Sequence, residues 1–199
     1  SEMCIRDSTW VAPFDDPGTI AGQGTIAREV VEQLAELGEE PSMFVVPVGG
    51  GGLFSGVVTY LAEKSPKTEV VGVEPAGAAC VAAALDMGGP VTLGDTDPFV
   101  DGAAVKRCGD VTYAVLNGHR KMIDLINVAE GSVCTEMLEL YQNEGIIAEP
   151  AGALSVTALH HLRFVPGSSV VCIISGGNND VSRYSEIIER SLVDQGPCL

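Results

Sequence analysis

Four consecutive glycines, Gly49, Gly50, Gly51 and Gly52, stand between a short apolar run, residues 43–48, and a segment of helical spacing that opens at Leu53. Without side chains, several backbone amides in such a tract can turn toward one anion, and a helix N-terminus behind them adds partial positive charge. A cup of this kind holds phosphate without needing a lysine. A tight turn with no ligand is the alternative reading, but position favours phosphate, because ligands of open α/β sheets bind beyond the carboxyl ends of the strands. The tract lacks the GK[ST] ending of a nucleoside-triphosphate loop, and Ser55 and Gly56 come too late for GxGxxG, which weighs against an ATPase or an NAD enzyme.

A second polar glycine turn, Ser175, Gly176, Gly177, Asn178, Asn179, Asp180, follows another apolar run and precedes another helical pattern. In a parallel sheet it would share an edge with the first turn, and the Ser175 hydroxyl could bond a heteroaromatic nitrogen while staying neutral. Simple capping of a turn is the competing role for Ser175. At Glu149 and Pro150, proline at a first helical turn with a carboxylate before it reads most simply as a helix start.

The elements that must position these residues can be read from periodicity. Residues 19–37 have helical spacing, with Gly38 as a C-cap, and residues 43–48 form a strand buried on both faces. Residues 53–62 predict a helix, 69–73 a second buried strand and 78–87 another helix. Residues 88–107 form a loop too long to be a mere connection. Candidate strands at 111–116 and 125–128 come next, then helices at 133–141 and 151–162, a strand at 169–174, and a closing helix at 181–192 with Asp180 as N-cap. Alternating strands and helices imply an α/β fold with an open, mostly parallel sheet flanked by helices.

The 199 residues are 46% hydrophobic, and no apolar run is long enough to span a bilayer. A formal charge of -16 opposes a large phosphate-backbone or anionic-membrane surface, so neither nucleic acid nor membrane is an expected partner. The six cysteines, Cys4, Cys80, Cys108, Cys134, Cys172 and Cys198, contain no CxxC pair and read as reduced thiols, mostly buried. His119, His160 and His161 have no zinc-ligand spacing, so no metal site is expected. Residues 1–8 differ in character from the rest of the chain and resemble a sequence scar without targeting features, which makes the cytoplasm the default compartment.

The tetraglycine cup with Leu53, the segment DGAAVKR at 101–107, EPAGA at 149–153 and SGGNND at 175–180 occur in an order that closely resembles the threonine dehydratases. PFDDPGTIAGQG at 13–24 also resembles the stretch that precedes the cup in that family. The resemblance covers residues 8–193 and implies the large domain of a fold-type II pyridoxal-phosphate enzyme, truncated at its N-terminus. It also implies an amino-acid substrate, threonine or serine, and a homo-oligomeric parent. By motif, Gly49, Gly50, Gly51, Gly52 and Leu53 would hold the phosphate of pyridoxal 5'-phosphate and Ser175 its ring nitrogen, with Gly102 and Glu149 beside the ring and substrate. Residues 194–199 would begin a linker or tail.

The family's Schiff-base lysine lies upstream of anything present here. Lys64, Lys67, Lys106 and Lys121 match no such position, so the chain alone is expected to be inactive. Relatives such as serine racemase hold a cation through residues matching Glu74 and Ala78, but Cys80 stands where they have an acid. Serine racemase or another β-replacing enzyme of the same fold is the nearest alternative, and a non-catalytic phosphate-ligand module is the alternative from another class. A parallel sheet lacking neighbours would leave an edge exposed, and association of the isolated chain is expected.

Overall fold

The computed structural model describes residues 10–196, so the proposed scar at 1–8, Cys4, Cys198 and the end of the tail lie outside it. The first apolar run becomes β1 (Pro41–Pro47), and Phe44, Val45 and Val46 are fully buried. Before it come α1 (Pro17–Gln23) and α2 (Thr25–Glu36); after it come α3 (Gly52–Lys64), β2 (Glu69–Pro75) and α4 (Cys80–Met87). The chain continues through α5 (Asp110–Gly118), β3 (Ile123–Val128), α6 (Glu130–Glu139), α7 (Pro150–Thr157), β4 (Ser169–Cys172) and α8 (Tyr184–Gln195).

All strand pairs are parallel, in the order β3-β2-β1-β4, with Val45 opposite both Val71 and Cys172. Because side chains alternate across a strand, β1 serves two cores. Met43 and Val45 face Val133, Met137, Leu154 and Ile187 from α6, α7 and α8. Phe44 and Val46 face Phe54, Val57, Leu61, Val81 and Leu116 from α3, α4 and α5. Helices thus cover both faces, as the near-continuous apolar strands require. Parallel pairing also puts every strand's carboxyl end, and both glycine turns, on one edge.

Three expectations need correction. Residues 111–116 lie within a helix, α5, and not a strand. Their β-branched and aromatic content misleads, because the helix start is capped by a distant residue, Asp15, that no local pattern reveals. The predicted helix at 19–37 begins at Pro17, where Asp16 accepts hydrogen bonds from the amides of Gly18 and Thr19, and it is interrupted at Gly24. A Cβ on Gly56 of α3 would collide with the Ile20 carbonyl and sit 2.6 Å from the Gly24 nitrogen, so the two helices approach backbone to backbone there. Finally, α8 continues to Gln195, so the supposed linker starts inside a helix. Asp180 does cap the turn before it, accepting from the Ser182 amide at 2.9 Å.

Strand β4 is one of the two edges of the described sheet, β3 being the other, and its four residues are only half-buried. Ile174, just past it, is exposed, as are Phe164 and Val165 before it. Unpaired strand backbone beside exposed apolar groups recruits further strands. Sedimentation of the purified chain should therefore give a mass above the 20.7 kDa of a monomer; a single monomeric species would contradict this. Among the described residues, no helix is long and apolar enough to cross a membrane.

Candidate functional site

The tetraglycine turn lines a cavity of about 340 Å³ together with Pro13, Phe14, Pro47, Val48, Leu53, Gly102 and Val105. Among the described residues, none accepts a hydrogen bond from the amides of Gly49, Gly50, Gly51, Gly52 or Leu53. Their carbonyls are occupied: Cys80 Sγ donates to the Gly49 oxygen at 3.4 Å and Thr112 Oγ1 donates to the Gly50 oxygen at 2.9 Å. Unpaired amides at the start of a 13-residue helix are a donor set of the kind that can receive an anion.

Each glycine of the turn has its own reason. Gly51 has φ +94°, a left-handed conformation that a side chain disfavours. A Cβ on Gly49 would lie 3.1 Å from Ala103 Cα. One on Gly50 would enter the Phe14 ring, and one on Gly52 would lie 2.7 Å from Phe14 Cβ. At two of the four positions, then, the absent side chain makes room for an aromatic residue and not for a ligand.

Gly102 is brought to this cavity by the long loop, and a Cβ there would lie 2.9 Å from Ala151 Cβ and 3.5 Å from Glu149 Oε1. Glu149 in turn touches Gly176, whose carbonyl accepts from the Glu149 amide at 3.0 Å. A continuous path therefore runs from Gly49 through Gly102 and Glu149 to the second glycine turn. Ser175 sits beyond β4 on the same sheet edge, but it is exposed and does not line the cavity. The loop is fastened near its middle, where Arg183 and Arg190 lie over the Phe99 ring at 4.8 and 4.3 Å and Arg190 pairs with Asp97 at 3.0 Å.

Phe14 and Asp15 fall in the matched stretch 13–24 without a role assigned by it, and Thr112 falls in no motif, although all three lie at the cup. The signal available was the pair Asp15 and Asp16, of which a local helix cap needs only one. Asp15 serves α5 from outside, accepting from the amides of Val111 at 2.8 Å, Asp110 at 3.1 Å and Thr112 at 3.3 Å.

Beneath the cup, Glu74 is fully buried and accepts from the amides of Val81 at 2.7 Å and Ala82 at 2.8 Å, capping α4. Burial pushes its carboxyl up to about 7, against the pull of those two amides. Burial, followed by the Glu74 charge, holds the Cys80 thiol up at about 12, so it stays protonated and able to donate to Gly49. Cys134 and Cys172 are raised by burial to about 12 and about 11, which disfavours thiolate nucleophiles there.

The Glu74 shift has a pH signature. Between its ordinary value of 4.5 and about 7, the folded chain keeps a proton that the unfolded chain releases. Its stabilising contribution is full below the lower value and is lost as pH rises to the upper one, roughly 3 kcal/mol in all. Denaturant unfolding from pH 4.5 to 8 should show this decline, and Glu74→Gln should flatten it; an unchanged slope in the variant would refute the assignment.

The fold and the cup together define an α/β protein with a cavity lined by unpaired amides at the carboxyl edge of a parallel sheet. The chain belongs to the pyridoxal-phosphate dependent enzyme family, whose model matches residues 2–176. It is 63% identical over 189 residues to the biosynthetic L-threonine dehydratase of Mycobacterium tuberculosis, covering 95% of this chain and 43% of that one. The corresponding protein of Corynebacterium glutamicum is 58% identical over the same length and with the same coverage. Among solved structures, the processed form of threonine deaminase isoform 2 from Solanum lycopersicum superposes with a TM-score of 0.82 at 33% identity, covering 96% of this chain and 55% of that one. Serine racemase from Dictyostelium discoideum gives 0.76 at 29% identity, covering 90% and 56%. The chain spans less than half the length of the curated relatives it matches.

Proposed function

We propose that this chain is the cofactor-holding part of a threonine dehydratase that converts threonine, or serine, to the 2-oxo acid and ammonia, in the cytoplasm and as a homo-oligomer. The observation that carries this reading is the row of unpartnered amides from Gly49 to Leu53 at the N-terminus of α3, a donor set that fits a phosphate ester. The identity to two biosynthetic dehydratases, against 29% to a serine racemase, favours elimination and a role in making isoleucine.

Gly49, Gly50, Gly51, Gly52 and Leu53 hold the phosphate. Ser175 bonds the ring nitrogen without forcing a proton onto it, which tempers the ring's electron withdrawal and suits elimination over a long-lived carbanion. Gly102, packed closely against Ala151, lies beside the ring, and Glu149 meets the substrate side of the site. When bound, pyridoxal phosphate supplies an electrophilic carbonyl and the electron withdrawal that loosens the substrate's α-proton. None of the four lysines lines the cup, so the chain holds the cofactor non-covalently.

Titrating the chain with pyridoxal phosphate, read by absorbance and quenching of Trp10, tests this. Saturable binding that inorganic phosphate displaces is expected, and Ser175→Ala should weaken it roughly fivefold, the loss of one neutral hydrogen bond. No saturable change, or preferential binding of a nucleotide, would overturn the reading.

A further inference from the structure

We propose that Asp15 and Thr112 are positioning residues, a latch that aims the amides of the cup before any ligand arrives; this rests on the cup being the phosphate site. In a trans peptide, the carbonyl and the following N–H point in opposite directions. The Gly50 carbonyl receives Thr112 Oγ1 at 2.9 Å, so the Gly51 N–H is turned the other way. The Gly109 amide reaches the same carbonyl at 3.4 Å. Thr112 lies outside the residues that line the cavity, so the direction opposite to it is the cavity side.

Thr112 needs support to act in this way. Its hydroxyl has one proton, and the Gly109 carbonyl at 3.2 Å competes with Gly50 for it. What fixes the helix start that carries both groups is the Asp15 carboxylate, which accepts from three successive amides, Asp110, Val111 and Thr112. A carboxylate at a helix N-terminus is favoured by the local dipole as well as by these bonds. Asp15 also touches Gly109, whose missing side chain lets the carboxylate approach. Since Asp15 adjoins Phe14, which packs on Gly50 and Gly52, one short segment grips the cup by its ring and α5 by its carboxylate. Thr112 is fully buried, so water does not take over its bond to Gly50.

The test uses the whole chain and two readouts, binding of pyridoxal phosphate and amide hydrogen exchange across Gly49–Leu53 without ligand. Thr112→Val, of equal size but without a donor, should weaken binding roughly tenfold and speed exchange in the cup, while Thr112→Ser stays within about twofold of the parent chain. Asp15→Ala should weaken binding to a similar degree, and the double variant should lose little more than either single one, because both act through one latch. Melting temperatures separate loss of the latch from loss of the fold.

The latch is refuted if Thr112→Val binds like the parent, if Thr112→Ser loses as much as the valine variant, or if the two losses are additive. Should the parent chain bind no pyridoxal phosphate at all, the cup reading fails and exchange alone decides. Faster exchange in Thr112→Val but not in Thr112→Ser would still establish the latch, and equal exchange in all three would end it.

Discussion

Gly50→Ala will reduce pyridoxal-phosphate binding by the chain about a hundredfold or more and lower its melting temperature. The added Cβ falls inside the Phe14 ring, and the ring has little freedom to retreat. Its backbone lies between Pro13 and Asp15, and Asp15 is held by three amides of α5. Overpacking of this kind costs about 1–3 kcal/mol, roughly 2–10 °C for a chain of this size. The larger loss is in binding, since moving the Gly50 and Gly51 amides forfeits two hydrogen bonds to a charged group, about 1.5–3 kcal/mol each. Gly94→Ala is the control, because nothing lies within 4 Å of its Cβ position. Adding Phe14→Ala to Gly50→Ala should restore part of the binding by vacating the contested space. Titration and thermal melting of the four proteins check this, and a Gly50→Ala chain that binds within about threefold of the parent would show that Phe14 does not constrain the cup.

The second large effect is on turnover: the chain alone will release no 2-oxobutanoate from threonine beyond what free pyridoxal phosphate gives. Lys64 ends α3, and Lys67 and Lys121 precede β2 and β3, so all three stand at the amino edge of the sheet, opposite the cup. Lys106 lies on the long loop, exposed and outside the cavity. Among the described residues, no lysine amine is therefore in place to exchange with the substrate's own, and enzymes owe accelerations of about a millionfold or more to such placed groups. Co-expression with the upstream half of the Corynebacterium glutamicum dehydratase should restore turnover if the two parts assemble along the open β4 edge. Threonine turnover by the isolated chain would show that a lysine already present reaches the cofactor.

Much of the fold was legible because its determinants are local. Apolar runs at β1 and β2 mark strands buried on both faces, and the glycines after β1 mark a turn at a strand's carboxyl end. Asp180 sits directly beside the turn it caps. Helix α5 was misread for the opposite reason: its cap, Asp15, comes from 96 residues away. The edge position of β4 was equally hidden, since an apolar run does not reveal how many neighbours a strand has.

The candidate site divides in the same way. The glycine run and its position pointed to an anion cup at Gly49–Gly52 and to a second turn on the same edge, and the order of the motifs added Leu53 and the resemblance to a family whose cofactor is pyridoxal phosphate. They do so because glycine runs, strand periodicity and motif order are properties of neighbouring residues. Only the tertiary structure decided that Phe14 explains two of the glycines, that Thr112 and Cys80 draw the carbonyls away from the cavity, and that Ser175 stands outside the cavity the cup lines. Those features rest on contacts such as Thr112 to Gly50, 62 residues apart, and Cys80 to Gly49, 31 apart. A peptide's orientation is set by what its carbonyl meets in space, and that partner is chosen by packing between elements and not by the residues beside it.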